Sequence, residues 1–243
     1  MRWLSAMLSS SVKSAAFETV RAAPAASARA QCLIFTGNPG LPQFYSSFAR
    51  ELCDRTGAEV MVVGLAGHLS RAHAATLGAP EGRYDFYPLS AQRAHTTDAA
   101  RDAADRASAA GVPLVLIGHS IGGWLAIQAA LALEAERAGT PALVLGIFAY
   151  LQNNRADPAF ESTYRLLTLP SILARTIIGV IGAFGSALGV LPKRISRMVL
   201  KMRLRTLEPR AIDVVMSMLR WPSIANLIRL ARTEVCRMHD SRG

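Results

Sequence analysis

The stretch Leu114-Val115-Leu116-Ile117-Gly118-His119-Ser120-Ile121-Gly122 decides the fold of this chain. A short apolar run enters a G-x-S-x-G pattern and leaves it into the long apolar, alanine-rich segment Ile121–Arg137. The pattern alone says little, since ordinary glycine and serine frequencies produce it by chance in about one chain in ten of this length. Context raises its meaning. The run before it reads as a buried strand and the segment after it as a helix, so the pattern falls on a strand-to-helix bend. Such a bend holds the middle residue, Ser120, in a strained backbone conformation. Gly118 and Gly122 occupy the positions where a side chain would strike the strand or the helix. The hydroxyl of Ser120 then stands at the carboxyl edge of the sheet, with the first N–H groups of the helix aimed at a developing oxyanion. A serine there suits acyl transfer to water through an acyl-enzyme, whereas an aspartate would point to dehalogenase or epoxide chemistry. The competing reading is a tight turn that happens to carry a serine.

Outward from the bend, strands and helices alternate. Gln31–Thr36 and Glu59–Leu65 read as strands, Phe44–Arg55 as a helix between them, and Leu89–Ala110 as an alanine-rich helix closed by Gly111. Gly139 and Pro141 stop the helix Ile121–Arg137, and Ala142–Tyr150 is a further apolar strand. Each strand is apolar along its whole length, as strands buried on both faces of a parallel sheet are. The expectation is an α/β fold with a doubly wound, mostly parallel sheet over residues 31–152. Residues 1–30 are rich in Ala, Ser and Arg and read either as a transit peptide or as a poorly ordered tip with a first strand near Phe17–Arg21. No long apolar run precedes a cleavage site, so they do not read as a secretory signal.

At 243 residues and 51% hydrophobic, the chain has material for one well-buried domain. The net charge of +10 suits an anionic membrane surface or a nucleic acid. Aromatic residues at 7%, with no zinc-finger spacing, RNP-like run or basic helix, argue against nucleic acid. Cys32, Cys53 and Cys236 form no CxxC pair, so neither a zinc site nor a redox dithiol is indicated and a reducing compartment fits. No metal or organic cofactor is implied.

The loop Gly37-Asn38-Pro39-Gly40 follows the first central strand, where such folds supply a second oxyanion donor. Pro39 has no N–H. The expected pair is therefore the Asn38 and Ile121 amides, against a plain Asn-Pro-Gly turn.

These residues resemble the lipid droplet-associated hydrolases, of the α/β-hydrolase superfamily. The resemblance rests on Gly37-Asn38-Pro39-Gly40 with Phe44-Tyr45 and Phe48, on Gly67-His68, on Leu89, Gln92 and His95, on the bend Gly118–Gly122, and more loosely on Asn226 to Glu234. It implies an α/β-hydrolase-type sheet and a serine ester hydrolase acting on lipid esters at lipid droplets or the endoplasmic reticulum surface, with Ser120 as nucleophile. A mitochondrial or cytosolic location is the alternative. His68, His95 and His119 match family positions but precede or flank the nucleophile, so they read as structural. In this fold the acid and the histidine follow the nucleophile. Here the acid and histidine are unassigned: beyond Ser120 the only histidine is His239, in a terminal stretch, Met238–Gly243, that reads as frayed. The last strands of the sheet are expected to be missing, and the rival function is a lipid-droplet protein with a hydrolase fold and no triad.

Residues 153–243 read as a helical cap and lipid-contact region. Thr176–Pro192 carries no charge, and Lys193, Arg194, Arg197, Lys201, Arg203 and Arg205 follow. It is short for a transmembrane helix, which needs about twenty residues. It reads as a re-entrant or surface-inserting hairpin whose basic run meets anionic headgroups, or as a buried cap helix with a charged outer face. Amphipathic helices are expected from Pro209 to Glu234.

Overall fold

The computed structural model describes residues 17–76, 86–136, 139–151, 161, 164–165, 167–204 and 207–240, the last five without their side chains. Five strands form one sheet: β1 (Thr19–Ala22), β2 (Gln31–Phe35), β3 (Glu59–Val63), β4 (Leu114–His119) and β5 (Leu143–Ile147). Their order across the sheet is β1-β3-β2-β4-β5. β1 runs antiparallel to β3, and every other pair is parallel.

The helices are α1 (Ser46–Thr56), α2 (Arg71–Thr76), α3 (Leu89–Ala110), α4 (Ile121–Ala135), α5 (Ser171–Val190), α6 (Lys193–Arg203), α7 (Pro209–Ser217) and α8 (Trp221–Asp240). A 3-10 turn, Pro42–Tyr45, precedes α1. Prolines sit where helices begin, at or just before the first turn of α3, α5, α6 and α7, because the missing N–H is unneeded there. Gly57 and Gly111 end α1 and α3 in the left-handed conformation, the usual glycine cap.

The period-2 alternation of β2 divides the core. Leu33 and Phe35 join Leu114, Leu116 and the small side chains Ala100, Ala103, Ala104, Ala107, Ala126 and Ala129 on the α3–α4 face. Alanines let these helices lie close to the sheet while the buried leucines supply about 2 kcal/mol each. Cys32 and Ile34 join Val60, Val62, Ala49 and Cys53 on the α1 face. Burial pushes the Cys32 thiol up to about 12, so it behaves as core.

Several expectations need correction. The strand expected over Ala142–Tyr150 is five residues long and is not buried on both faces: Leu143 and Leu145 are exposed. β5 is the edge of the sheet among the described residues, and its outer face lacks a covering helix there. The first strand begins at Thr19, and α2 had no signal in the sequence. Thr176–Pro192 is no hairpin. Its residues 176–190 lie within one continuous helix, α5, and Leu191-Pro192 break it from α6. That helix begins at Ser171, so it has the twenty residues the shorter stretch lacked. The backbone of α8 continues to Asp240, where fraying was expected from Met238. The transit-peptide reading falls largely on residues 1–16, outside the described residues, as does the side chain of His239.

Candidate active site

From β2 the chain turns to β3 on one side, then crosses to β4 on the other. The order reverses between β2 and β4, and ligands in open α/β sheets bind outside the carboxyl ends of the strands at such a point. Phe35 at the end of β2 lies beside Gly118 at the end of β4, which places the Gly37–Gly40 loop next to Ser120.

Ser120 follows β4 and precedes α4 with φ 53° and ψ −123°. Among the described non-glycine residues only Ser120 and Phe148 have positive φ. The bend is held from both sides: the Ser120 N–H donates to the Ile147 carbonyl, and the Ser120 carbonyl accepts from the Gly123 and Tyr150 N–H groups. These bonds oppose the strain of an L-residue in that region. The two glycines have separate reasons. A Cβ on Gly118 would sit 2.1 Å from the Gly122 carbonyl oxygen, and one on Gly122 would sit 2.3 Å from that of Phe35. Gly123 belongs to the same set, since its Cβ would meet that of Ala149 at 2.5 Å.

The loop after β2 is equally crowded. A Cβ on Gly37 would fall 2.9 Å from Ser120 Cβ. The Gly37 N–H donates to the Tyr45 hydroxyl at 3.0 Å, and that oxygen lies 2.7 Å from His119 Nδ1. Burial raises the Tyr45 phenol, opposed by the Gly37 bond, and burial lowers the His119 imidazole. Both are therefore neutral near pH 7. The phenol oxygen accepts from Gly37 and shares a second hydrogen bond with Nδ1, whose direction follows the imidazole tautomer. The Gly37 N–H is thus occupied, and Pro39 has none. Among the described residues no hydrogen bond takes up the backbone N–H of Asn38 or Ile121, or reaches the Ser120 hydroxyl.

His68 is fully buried beneath the loop with Nδ1 2.7 Å from the Pro39 carbonyl oxygen. Burial brings it down to about 4 despite that bond, so it stays neutral with Nε2 unpartnered. His95 packs on the Phe17 ring and donates from Nε2 to the Gly64 carbonyl at 3.3 Å. Each of these histidines is engaged away from Ser120.

The sequence pattern predicts helix over the α8 stretch but does not show that this helix closes the site. From α8, the Leu227 carbonyl accepts the Asn38 side-chain N–H at 3.0 Å, and Asn226 Nδ2 donates to the Gly67 carbonyl at 3.1 Å. Leu230 packs with Leu65, Leu89, Ile121 and Leu125, against partly buried Trp124 and Tyr150. Glu234, one turn on, is buried, has an unpartnered Oε1, and is raised by burial to about 7. It also raises Tyr150, second to burial, whose phenol reaches about 12. Asn226 to Glu234 carried a loose resemblance, but helical periodicity alone could not assign these contacts to the loop.

A sheet in this order, with a serine at positive φ on the bend after β4 and free amides beside it, defines the α/β-hydrolase architecture. The chain matches the model of the family described as "Lipid-droplet associated hydrolase" over residues 28–242. It belongs to that family. A lipid droplet-associated hydrolase of Drosophila melanogaster is 36% identical over 108 residues, which are 43% of this chain and 33% of the relative. The match thus spans about a third of that curated relative's length. Solved structures are more distant. An α/β hydrolase from the metagenome of Lake Arreo, Spain, is 16% identical with a TM-score of 0.42, covering 67% of this chain and 54% of that one. An esterase from the hyperthermophilic archaeon Pyrobaculum calidifontis is also 16% identical, with a TM-score of 0.43, covering 67% and 55%.

Proposed function

We propose that this chain is a serine ester hydrolase in which Ser120 is the nucleophile and the Asn38 and Ile121 amides form the oxyanion site. The observation that carries the reading is the positive-φ serine at the switch point, beside two backbone donors that no other group among the described residues occupies. Ser120 Oγ would add to the acyl carbonyl carbon as the C=O π bond opens onto oxygen, the hydroxyl proton passing to a general base and then to the departing alkoxide. The charge on the carbonyl oxygen would be met by donors already in place. Family membership supports a lipid ester as substrate, met at a droplet or endoplasmic reticulum surface.

The docking face we propose is α5 with α6. Ile172, Val180, Phe184 and Val190 point outward from α5, each more than 60% exposed. By length and composition α5 could cross a membrane, with a mean hydropathy of 1.7 over Ile172–Val190. Its inner face is occupied by α8, however, which suits a helix lying on a surface. On α6, Arg194, Arg197, Met198, Lys201 and Met202 line a shallow groove that joins cationic ends to apolar thioethers, a composition matched to headgroups above acyl chains.

A fluorophosphonate probe should label the purified chain, and Ser120→Ala should abolish the label. Labelling that survives the substitution overturns the assignment. A second reading is a non-catalytic droplet protein. It is favoured by one observation: among the described residues no imidazole or carboxylate is hydrogen-bonded to Ser120, and a serine without its base is a poor nucleophile. Ester turnover by the 243-residue chain decides against it.

A further inference from the structure

Helix α8 has two working faces. At 100° per residue, Trp221, Ile224 and Ile228 form one stripe, and Ser223, Asn226, Leu227, Leu230 and Glu234 form another, roughly 140° away. The first stripe meets α5. A Cβ on Gly182 would lie 2.1 Å from the Trp221 ring, and one on Gly185 would lie 2.2 Å from the end of the Ile224 side chain. Gly182 and Gly185 are the slot into which α8 fits. The second stripe meets the loops at the carboxyl edge. Ser223 Oγ donates to the Leu69 carbonyl, Asn226 bridges the Gly67 carbonyl and the Tyr87 N–H, and the Leu227 carbonyl holds Asn38. Gly67, at φ 80°, allows this approach: its Cβ would strike Asn226 Nδ2 at 2.6 Å.

From these contacts we infer that α8 positions the Asn38 loop and mechanically couples it to α5, with Asn226 and Trp221 as the positioning residues at its two faces. Asn226 fixes the helix against the loop after β3, so the Leu227 carbonyl stays where Asn38 needs it. Trp221 fixes the same helix from the far side through Gly182. A displacement of α5, such as burial of its outward face in an apolar phase, is therefore felt at Asn38. The consequence for catalysis rests on the proposed oxyanion role of Asn38. The coupling itself does not.

Hydrogen–deuterium exchange on the full chain tests it. The reporters are the Gly37 and Gly40 amides, bonded to the Tyr45 hydroxyl and the Gly37 carbonyl. Asn226→Ala should speed exchange at both by on the order of tenfold, the loss of one or two hydrogen bonds, with β2 and β4 amides unchanged. Asn226→Asp, which keeps the acceptor toward Tyr87, should give an intermediate rate. Trp221→Ala, which touches α5 and not the loop, should reproduce the acceleration. If Trp221→Ala exposes the whole core to exchange, the milder Trp221→Phe takes its place. Faster exchange in α5 with Gly37 and Gly40 at their original rate overturns the proposal, as does an unaltered rate in Asn226→Ala. Probe labelling of Ser120 is read separately. Coupled exchange in a chain that resists the probe keeps the linkage and discards the hydrolase reading, and labelling with uncoupled exchange does the reverse.

Discussion

At the residue scale the site depends on side chains that are absent. Gly122 has no room against the Phe35 carbonyl, and that neighbour is backbone. Gly122→Ala should therefore lower stability by about 2–3 kcal/mol in a urea titration. Gly111→Ala is the control: nothing lies within 4 Å of its Cβ, and only its φ of 63° costs roughly 1 kcal/mol. Buried titrating groups give a pH dependence with two opposite slopes. Glu234 is raised by burial from 4.5 to about 7, so the folded chain keeps a proton that the unfolded chain releases. Stability then falls as pH rises through that window. His68 is lowered from 6.5 to about 4, so the unfolded chain gains a proton first and stability falls as pH drops through its window. Glu234→Gln should remove the fall between pH 4.5 and about 7, making the variant more stable than the parent above about pH 7, with a ceiling of roughly 3 kcal/mol. Thermal midpoints measured across pH check this, and an unchanged profile would place the Glu234 carboxyl in water.

At the scale of elements, α5 shows why composition and packing have to be read together. The uncharged run from Thr176 was legible as a candidate for lipid contact, although glycine lowers intrinsic helix propensity. In the fold Gly182 and Gly185 receive Trp221 and Ile224, so close packing there compensates for low helix propensity. The helix buries Ala174, Ile178 and Leu188 and exposes Phe184 and Val180. Phe184→Asp together with Val180→Asp should leave the thermal midpoint nearly unchanged, within about 1 kcal/mol, since both sites are exposed. The pair should sharply reduce flotation with phospholipid-coated triacylglycerol droplets. Undiminished flotation would move the docking face elsewhere.

At the scale of the whole molecule, one face of the sheet is covered by α3 and α4 and the other by α1. Among the described residues, cover on the second face thins toward β5, where Leu143 and Leu145 are 47% and 42% exposed. An apolar edge of this kind favours self-association. Leu143→Thr with Leu145→Thr should reduce light scattering of concentrated protein while costing no more than about 1 kcal/mol of stability. Local pattern was enough to read the alternation of strands and helices, the ends of α3, and the bend at Ser120, because apolar period, proline, glycine and the G-x-S-x-G spacing act between neighbours along the chain. It also singled out the Asn38 loop, whose proline narrows the choice of donor. It took the folded arrangement to reveal that Tyr45 occupies the Gly37 amide, that α8 holds Asn38 from 189 residues away, and that Glu234 is buried. Those contacts join segments distant in sequence, and local periodicity says which face of a helix is apolar but not which loop or helix that face will meet.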